Sequence, residues 1–409
     1  MRPYWRPAAN SSGSALGAVP AASGSERAGL VESIRPSLQA AGPVRLAMGL
    51  VVAAALVAAG YRMIYGLGAA THLSDAWPWG LWKILGVVAG IPLAAGAFVV
   101  AAWVHVFRHH GYESLARPAV LAGFIGYLTA IASLFVDIGQ PHRIWHPIVM
   151  WQPHSVLFEV CWCVILYTTV LALEFSPVAF EKLGWQRAGR IVQHFIAPIA
   201  GAGATLCVLH QSSLGSLFLI APSRMSPMWY TPWLPLIFFV SSVAAGLAVL
   251  QLLAWVADRV YGQPVAESIR AGLARGLTGV LVLYLAVRLG DWSLRGTGPW
   301  RTSWGLEGAL AWAELVMGIV LPLALLLAAG VRAGGQEWRV AAAAFTAAGV
   351  LLHRLDTGLT SMREAAWLPY VPSAIEWLVM AGMVCAGILA YDWVARRLPL
   401  FEHGREAAR

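Results

Sequence analysis

Ten apolar stretches organise this chain, at 44–66, 81–107, 117–138, 155–176, 190–211, 233–258, 271–291, 308–330, 338–354 and 374–395. A helix needs about 20 apolar residues to cross a hydrocarbon core, and nine of the stretches approach or exceed that length; 338–354 is the shortest. The pattern predicts an all-α integral membrane protein of about ten transmembrane helices. Composition excludes a soluble enzyme. Of 409 residues, 59% are hydrophobic and 12% charged, about half the usual charged share. Too few polar side chains remain to coat a water-facing surface of that size.

Residues 1–42, rich in Ala, Gly, Ser and Pro, read as a disordered tail. A polytopic membrane domain follows over 43–396, with a short C-terminal tail at 397–409. The N-terminal segment lacks the compact charged-then-apolar layout of a cleavable leader, so the first membrane helix is expected to act as the targeting signal. Ten spans put both termini on one side, together with the loops around 108–117, 177–190, 259–275 and 331–339. That side carries 19 Lys and Arg against 9 opposite. The positive-inside rule then places both termini in the cytoplasm, as expected of a multi-pass protein of a bacterial inner membrane.

The net charge of +8 is spread over loops and forms no nucleic-acid patch. Cys161, Cys163, Cys207 and Cys385 lie inside apolar runs, as reduced thiols packed between helices do. Their spacing matches neither a zinc site nor an iron–sulfur site, so any cluster belongs to another subunit. Trp77, Trp79, Trp82, Trp145, Trp151, Trp229 and Trp233 read as an interfacial belt on the outer side.

Ionisable residues in membrane helices are costly and mark sites by default. Toward the outer ends lie Asp137, Glu159, His210, Arg288, Asp291, His353, Arg354, Asp356 and Glu376. Glu159 follows Ser155 by four residues inside the fourth stretch, and His210 reads as the end of the fifth, followed by Gln211, Ser212 and Ser213. Sequential helices are usually neighbours, so Asp137, Glu159 and His210 are expected to converge at similar depth. An apolar pocket with a carboxylate and an imidazole suits a quinone ring and proton exchange with it.

The chain also carries YGLG at 65–68, PWGLW at 78–82, RPAVLAGFIGY at 117–127, VDIGQP at 136–141, PHSVLFE at 153–159, LALEFSP at 171–177, EKLGW at 181–185 and HQSSLGSL at 210–217. In this order they resemble the NrfD-type, polysulfide-reductase-like membrane subunits, and most of all the integral membrane subunit of nickel–iron uptake hydrogenases. The resemblance spans nearly all of 44–395, is densest through the second to fifth helices, and extends to Arg354 and to Pro372, Ser373 and Glu376. It implies a haem-free protein of two four-helix bundles with flanking helices. Such a subunit takes menaquinone or ubiquinone at the outer side of the first bundle. It docks an extracytoplasmic ferredoxin-like iron–sulfur subunit there, next to a catalytic oxidoreductase subunit. The family's quinone contacts fall here on Trp79, Trp82, His210, Gln211, Asp137 and Glu159. Many relatives have Tyr where His210 stands, so the chain follows the hydrogenase-type variant.

Two rival readings stay open at this stage. A haem b cytochrome with two haems would need paired His on two helices, and only the fifth stretch has two, His194 and His210; His105 and His194 could hold a single haem. A secondary transporter would place its site near the midplane with broken helices, and Pro92, Pro198 and Pro322 are internal prolines. Proton movement could join Glu159 and Glu174, 15 residues apart on one helix and hence about 22 Å, with Asp258 and His194 beyond. The outer loops 67–80, 139–154 and 212–232 are the expected docking surface, because Trp, His and Pro concentrate there.

Overall fold

The computed structural model describes residues 24–101, 112–301, 305–331, 335–398 and 400. Each of the ten apolar stretches is helical within that range. The helices are α1 (Gly24–Tyr65), α2 (Trp82–Ala94), α3 (Gly96–Ala101), α4 (Glu113–Asp137), α5 (Val156–Leu183) and α6 (Gln186–His194). They continue as α7 (Ile196–Leu219), α8 (Leu234–Tyr261), α9 (Glu267–Arg295), α10 (Leu306–Gly330), α11 (Gln336–Gly358) and α12 (Ala374–Arg397). Residues 1–23 of the expected tail lie outside the described range, and α1 begins at Gly24 within the remainder.

Among the described residues, seven helices are long and apolar enough to cross a membrane, eight if the bent pair α6–α7 is one span. The chain is therefore a multi-pass membrane protein. The expectation of ten needs qualifying for two of the stretches. The second is interrupted after Ala94 and resumes over Gly96–Ala101, and its last part, 102–107, is outside the described residues. The ninth, α11, carries Glu337, Arg339, His353, Arg354 and Asp356, which lower its apolar character.

Local signals set the helix ends. Ser155 caps α5 by accepting from the Phe158 N–H, and Gly184 ends it with φ 73°, a left-handed turn that a side chain would strain. Ser373 and Glu376 form a reciprocal capping box at the start of α12. The interrupted helix α2–α3 packs with α4, α5 and α7 as one four-helix bundle, and α8, α9, α10 and α11 form a second. α8 also contacts α7, α2 and α3, joining the bundles, while α1 runs along α12 and that pair rests on α4. This is the arrangement the family resemblance implies.

Among the described residues, the connections fall on two opposite faces. One face carries the loops 66–81, 138–155, 220–233, 296–305 and 359–373; the opposite, terminal face holds the start of the α1 span and the end of α12, joined by Arg45–Asp392 at 3.0 Å. The loop-rich face is stitched across its width. Trp77 Nε1 donates to Leu368 O at 2.7 Å, Leu81 N to Tyr370 Oη at 2.8 Å and Ser226 N to Ser361 O at 2.7 Å. Buried beside Glu376, the Tyr370 phenol is held well above the ordinary tyrosine range, first by desolvation and then by donating to that carboxylate. The tryptophan belt needs correction. Trp145, Trp151 and Trp233 are exposed, but Trp77, Trp79, Trp82 and Trp229 are buried, and three of these spend their indole N–H on acceptors in other elements of the protein.

Candidate functional site

The first bundle gathers a polar core at the junction of α4, α5 and α7. α6 and α7 meet at a 60° bend, and α7 then runs unbroken from Ile196 to Leu219. His210 is thus not the end of its helix. It lies nine residues before it, about 14 Å below the loop-rich face. The helix continues through Gln211, Ser212 and Ser213 because Gln211 and Ser213 face the buried interior and water is not needed to solvate them.

Glu159, in the first turn of α5, accepts a hydrogen bond from Ser213 Oγ. Ser213 is buried and Glu159 exposed, so the pair links the outside of the bundle to its inside. One turn below Ser213, about 4.5 Å along α7, stands His210, whose ring packs against Tyr127 with centroids 5.7 Å apart. Tyr127 in turn meets Tyr167 edge-on at 4.7 Å. Neither ring nitrogen of His210, neither amide atom of Gln211 and neither tyrosine hydroxyl finds a nitrogen or oxygen partner. The Cys207 thiol, between Tyr167 and Gln211, is the weak group that reaches them. A buried polar group without a partner costs about 1–3 kcal/mol, so a cluster of them marks a place that water, a proton or a ligand completes.

Asp137 lies apart from this core. At the last residue of α4 it faces Lys83, Arg62 and Glu376. Arg62 closes the end of α4 by donating from Nε to Val136 O at 2.6 Å and from Nη2 to Ile138 O at 2.5 Å. No hydrogen bond or ion pair among the described residues joins Asp137 to Glu159 or His210. Glu159, Ser213 and His210 follow one another on α5 and α7, and Asp137 on α4 interacts electrostatically with Lys83 of α2. Lys83 is not among the expected site residues; a lone lysine directly after Trp82 in an apolar run gives no local sign of its partner.

The two expected tryptophans also diverge. Trp79 packs edge-on against Phe218 of α7 at 5.1 Å, adding an aromatic wall above Gln211. Trp82 turns to α12, donating from Nε1 to Glu376 O at 3.0 Å. A cleft of about 210 Å³ opens at the loop-rich face between the 146–152 segment and α5, with Leu157, Phe158 and Cys161 on its helical wall. At about 100° per residue, Leu157 and Cys161 lie on the side of α5 away from Glu159. The interior groups thus combine aromatic surfaces with hydrogen-bonding atoms that have no nitrogen or oxygen partner.

Residues 69–356 match the family described as polysulphide reductase, NrfD. A protein of Nitratidesulfovibrio vulgaris is 33% identical over 88% of this chain and 95% of its own length. The probable Ni/Fe-hydrogenase 2 b-type cytochrome subunit of Escherichia coli is 29% identical over 85% of this chain and 91% of its own. The menaquinone reductase integral membrane subunit of Nitratidesulfovibrio vulgaris is 27% identical, over 86% and 90% respectively. The Escherichia coli name describes a b-type cytochrome, which is at odds with the haem-free expectation for this chain. Among the described residues, His210 is buried with both ring nitrogens unpartnered and His353 with Nε2 unpartnered; they stand on α7 and α11, each against aromatic rings. His194 is exposed at the end of α6, and His105 lies outside the described residues.

Proposed function

The chain belongs to the NrfD family, and from that membership we propose that it is the quinone-reactive membrane subunit of a multi-subunit oxidoreductase. Its role is to pass electrons between an extracytoplasmic iron–sulfur subunit and the quinone pool, beside a catalytic oxidoreductase subunit. The loop-rich face is the extracytoplasmic one, both termini are cytoplasmic, and the membrane is a bacterial inner membrane. Supporting this reading are the positive-charge bias of the terminal side and relatives named as a menaquinone reductase subunit and a hydrogenase subunit.

One observation carries the assignment of the reactive site. An exposed carboxylate at the loop-rich end of a membrane helix is held by the buried Ser213 hydroxyl, and on the same helix as that hydroxyl His210 and Gln211 are buried without a nitrogen or oxygen partner. Bound quinone supplies two-electron chemistry coupled to the uptake or release of two protons. Glu159 holds or relays a proton at the edge of the bundle, and Ser213 fixes its carboxylate. His210 and Gln211 provide donors where negative charge develops on the ring, which is where a preorganised donor lowers a barrier most. Trp79 and Phe218 wall the approach, while Asp137, paired electrostatically with Lys83, and Trp82 shape its α2 and α12 side.

Glu159→Gln and His210→Ala are expected to abolish quinone-linked electron transfer, with turnover falling more than quinone binding, in complexes that still assemble. Near-normal turnover of assembled Glu159→Gln removes the carboxylate from the mechanism, and loss of assembly gives it a structural role. The same preparation is expected to lack haem absorbance; a b-type spectrum assigned to this chain restores the cytochrome reading.

A further inference from the structure

At the end of α5 opposite Glu159, on the terminal face, the chain forms an elbow that the site above does not use. Gly184 turns the chain out of α5, and α6 then meets α7 at the 60° bend, so α6 runs along the membrane surface while α7 crosses. Gly189 is buried and Ala188 and Val192 are half-buried on the side of α6 that packs, mainly against α5. Arg187, Arg190, Ile191 and His194 recur at the spacing of a single helix face, and all four are exposed. Leu183 and Trp185 at the turn and Phe195 at the bend are each more than half exposed as well.

Two observations of different kinds mark this elbow. The first is positive charge without a partner. Between Val178 and Phe195, Lys182, Arg187 and Arg190 stand against one acid, Glu181, and that carboxylate lies 3.8 Å from Arg117 Nη1 of α4. Among the described residues no hydrogen bond or ion pair engages Lys182, Arg187 or Arg190. Arg45, Arg270, Arg339 and Arg396 on the same face each meet a carboxylate. The second observation is shape. A cleft of about 500 Å³ opens at the elbow, with Trp185, Gln186, Arg187 and Arg190 on its walls. Two guanidiniums three residues apart on one helix face suit the oxygens of a phosphate. The apolar side chains around them have no use for a soluble anion, but an amphiphile engages both kinds of group.

We propose that the α5–α6 elbow binds an anionic phospholipid. Arg187 and Arg190 take the phosphate at the cleft, Lys182 adds to the attraction, and Trp185, Ile191 and Phe195 lie against the acyl chains. An indole at the level of the headgroups is the ordinary place for Trp in a membrane protein. The lipid covers the face of α6 that the described residues leave open. The site holds for either orientation of the chain, and neither a quinone nor a partner subunit enters it.

Photolabelling of the full chain in phosphatidylcholine bilayers tests the site. A small share of the lipid is photoactivatable phosphatidylglycerol or, in parallel, photoactivatable phosphatidylcholine with the same acyl chains, and the labelled peptides are mapped. Phosphatidylglycerol adducts are expected to concentrate on 183–195, and phosphatidylcholine adducts to show no such enrichment. Arg187→Gln with Arg190→Gln is expected to lower the yield there about 25-fold at limiting lipid, about fivefold for each arginine. Arg259→Gln removes an exposed cation at the end of α8 on the same face and is expected to leave the yield unchanged. Inorganic phosphate, compared with chloride at equal ionic strength, is expected not to compete. Equal labelling of 183–195 by both lipids overturns the proposal, and this comparison on the wild type decides even where a variant fails to insert. A yield that ignores the double variant, that falls as far with Arg259→Gln, or that free phosphate abolishes overturns it as well.

Discussion

Arg288 and Glu314 show how a single side chain in this interior is held in place by its partner. Both are buried, and their ion pair spans 2.9 Å between α9 and α10, with the guanidinium also over the Trp292 ring at 4.2 Å. Removing one member of a buried pair leaves the other charge uncompensated, at a cost of about 3–5 kcal/mol, whereas replacing both with apolar groups is often neutral. Arg288→Met is therefore expected to lower the unfolding midpoint of the detergent-solubilised protein sharply, and Arg288→Met with Glu314→Leu to recover much of the loss. A double variant no better than the single one would assign the stability to the indole and histidine contacts. Residues of this kind are where the sequence is least legible. Arg288, His353, Arg354 and Asp356 are visible as charges in apolar runs, and Glu314 and Lys83 carry the same signal, but nothing local to any of them names its partner. What gives them meaning is a distant partner, as for Arg288 with Glu314 and Lys83 with Asp137, and hydropathy carries no information about such pairings.

Helices are far more legible than sites, since crossing a bilayer imposes an apolar run that any window of that length reveals. Their ends are harder. Gln211, Ser212 and Ser213 make His210 read as the end of the stretch 190–211, yet α7 runs on to Leu219 with Gln211 and Ser213 turned into the bundle. Polarity marks a helix end only when the side chains meet water. Packing between helices likewise depends on close approach at small residues, and α10 and α11 supply a test. A Cβ on Gly349 would lie 2.1 Å from Gly318 Cα, whereas one on Gly201 of α7 meets nothing within 4 Å. Gly349→Ala is expected to force the two helices apart and destabilise the second bundle by about 1–3 kcal/mol. Gly201→Ala is expected to be neutral or to stabilise by up to about 1 kcal/mol, through helix propensity. Thermal unfolding of the two variants side by side measures the difference, and equal midpoints would show that the crossing yields without cost.

At the scale of the whole molecule, the site has meaning only with respect to the side of the membrane it faces. Two quantities bear on this independently. The loop-rich half holds 9 Lys and Arg against 19 on the terminal half, a bias that supports the proposed orientation with the termini inside. The Glu159–Ser213 pair, the 146–152 cleft and the exposed Trp145 and Trp151 all lie on the loop-rich side, the side on which the proposed function has its partner dock. Exposed tryptophans flanking a cleft are the anchors such an interface uses. In a background without the four native cysteines, Trp151→Cys is expected to react with a membrane-impermeant maleimide in intact cells. Arg187→Cys, exposed on the terminal face, is expected to react only after the membrane is opened. The reverse pattern would turn the molecule over, carrying the polar core and the docking face to the cytoplasmic side. Labelling of both positions from outside would mean that α5 does not cross between them and, with that, would dismantle the bundle on which the quinone assignment rests.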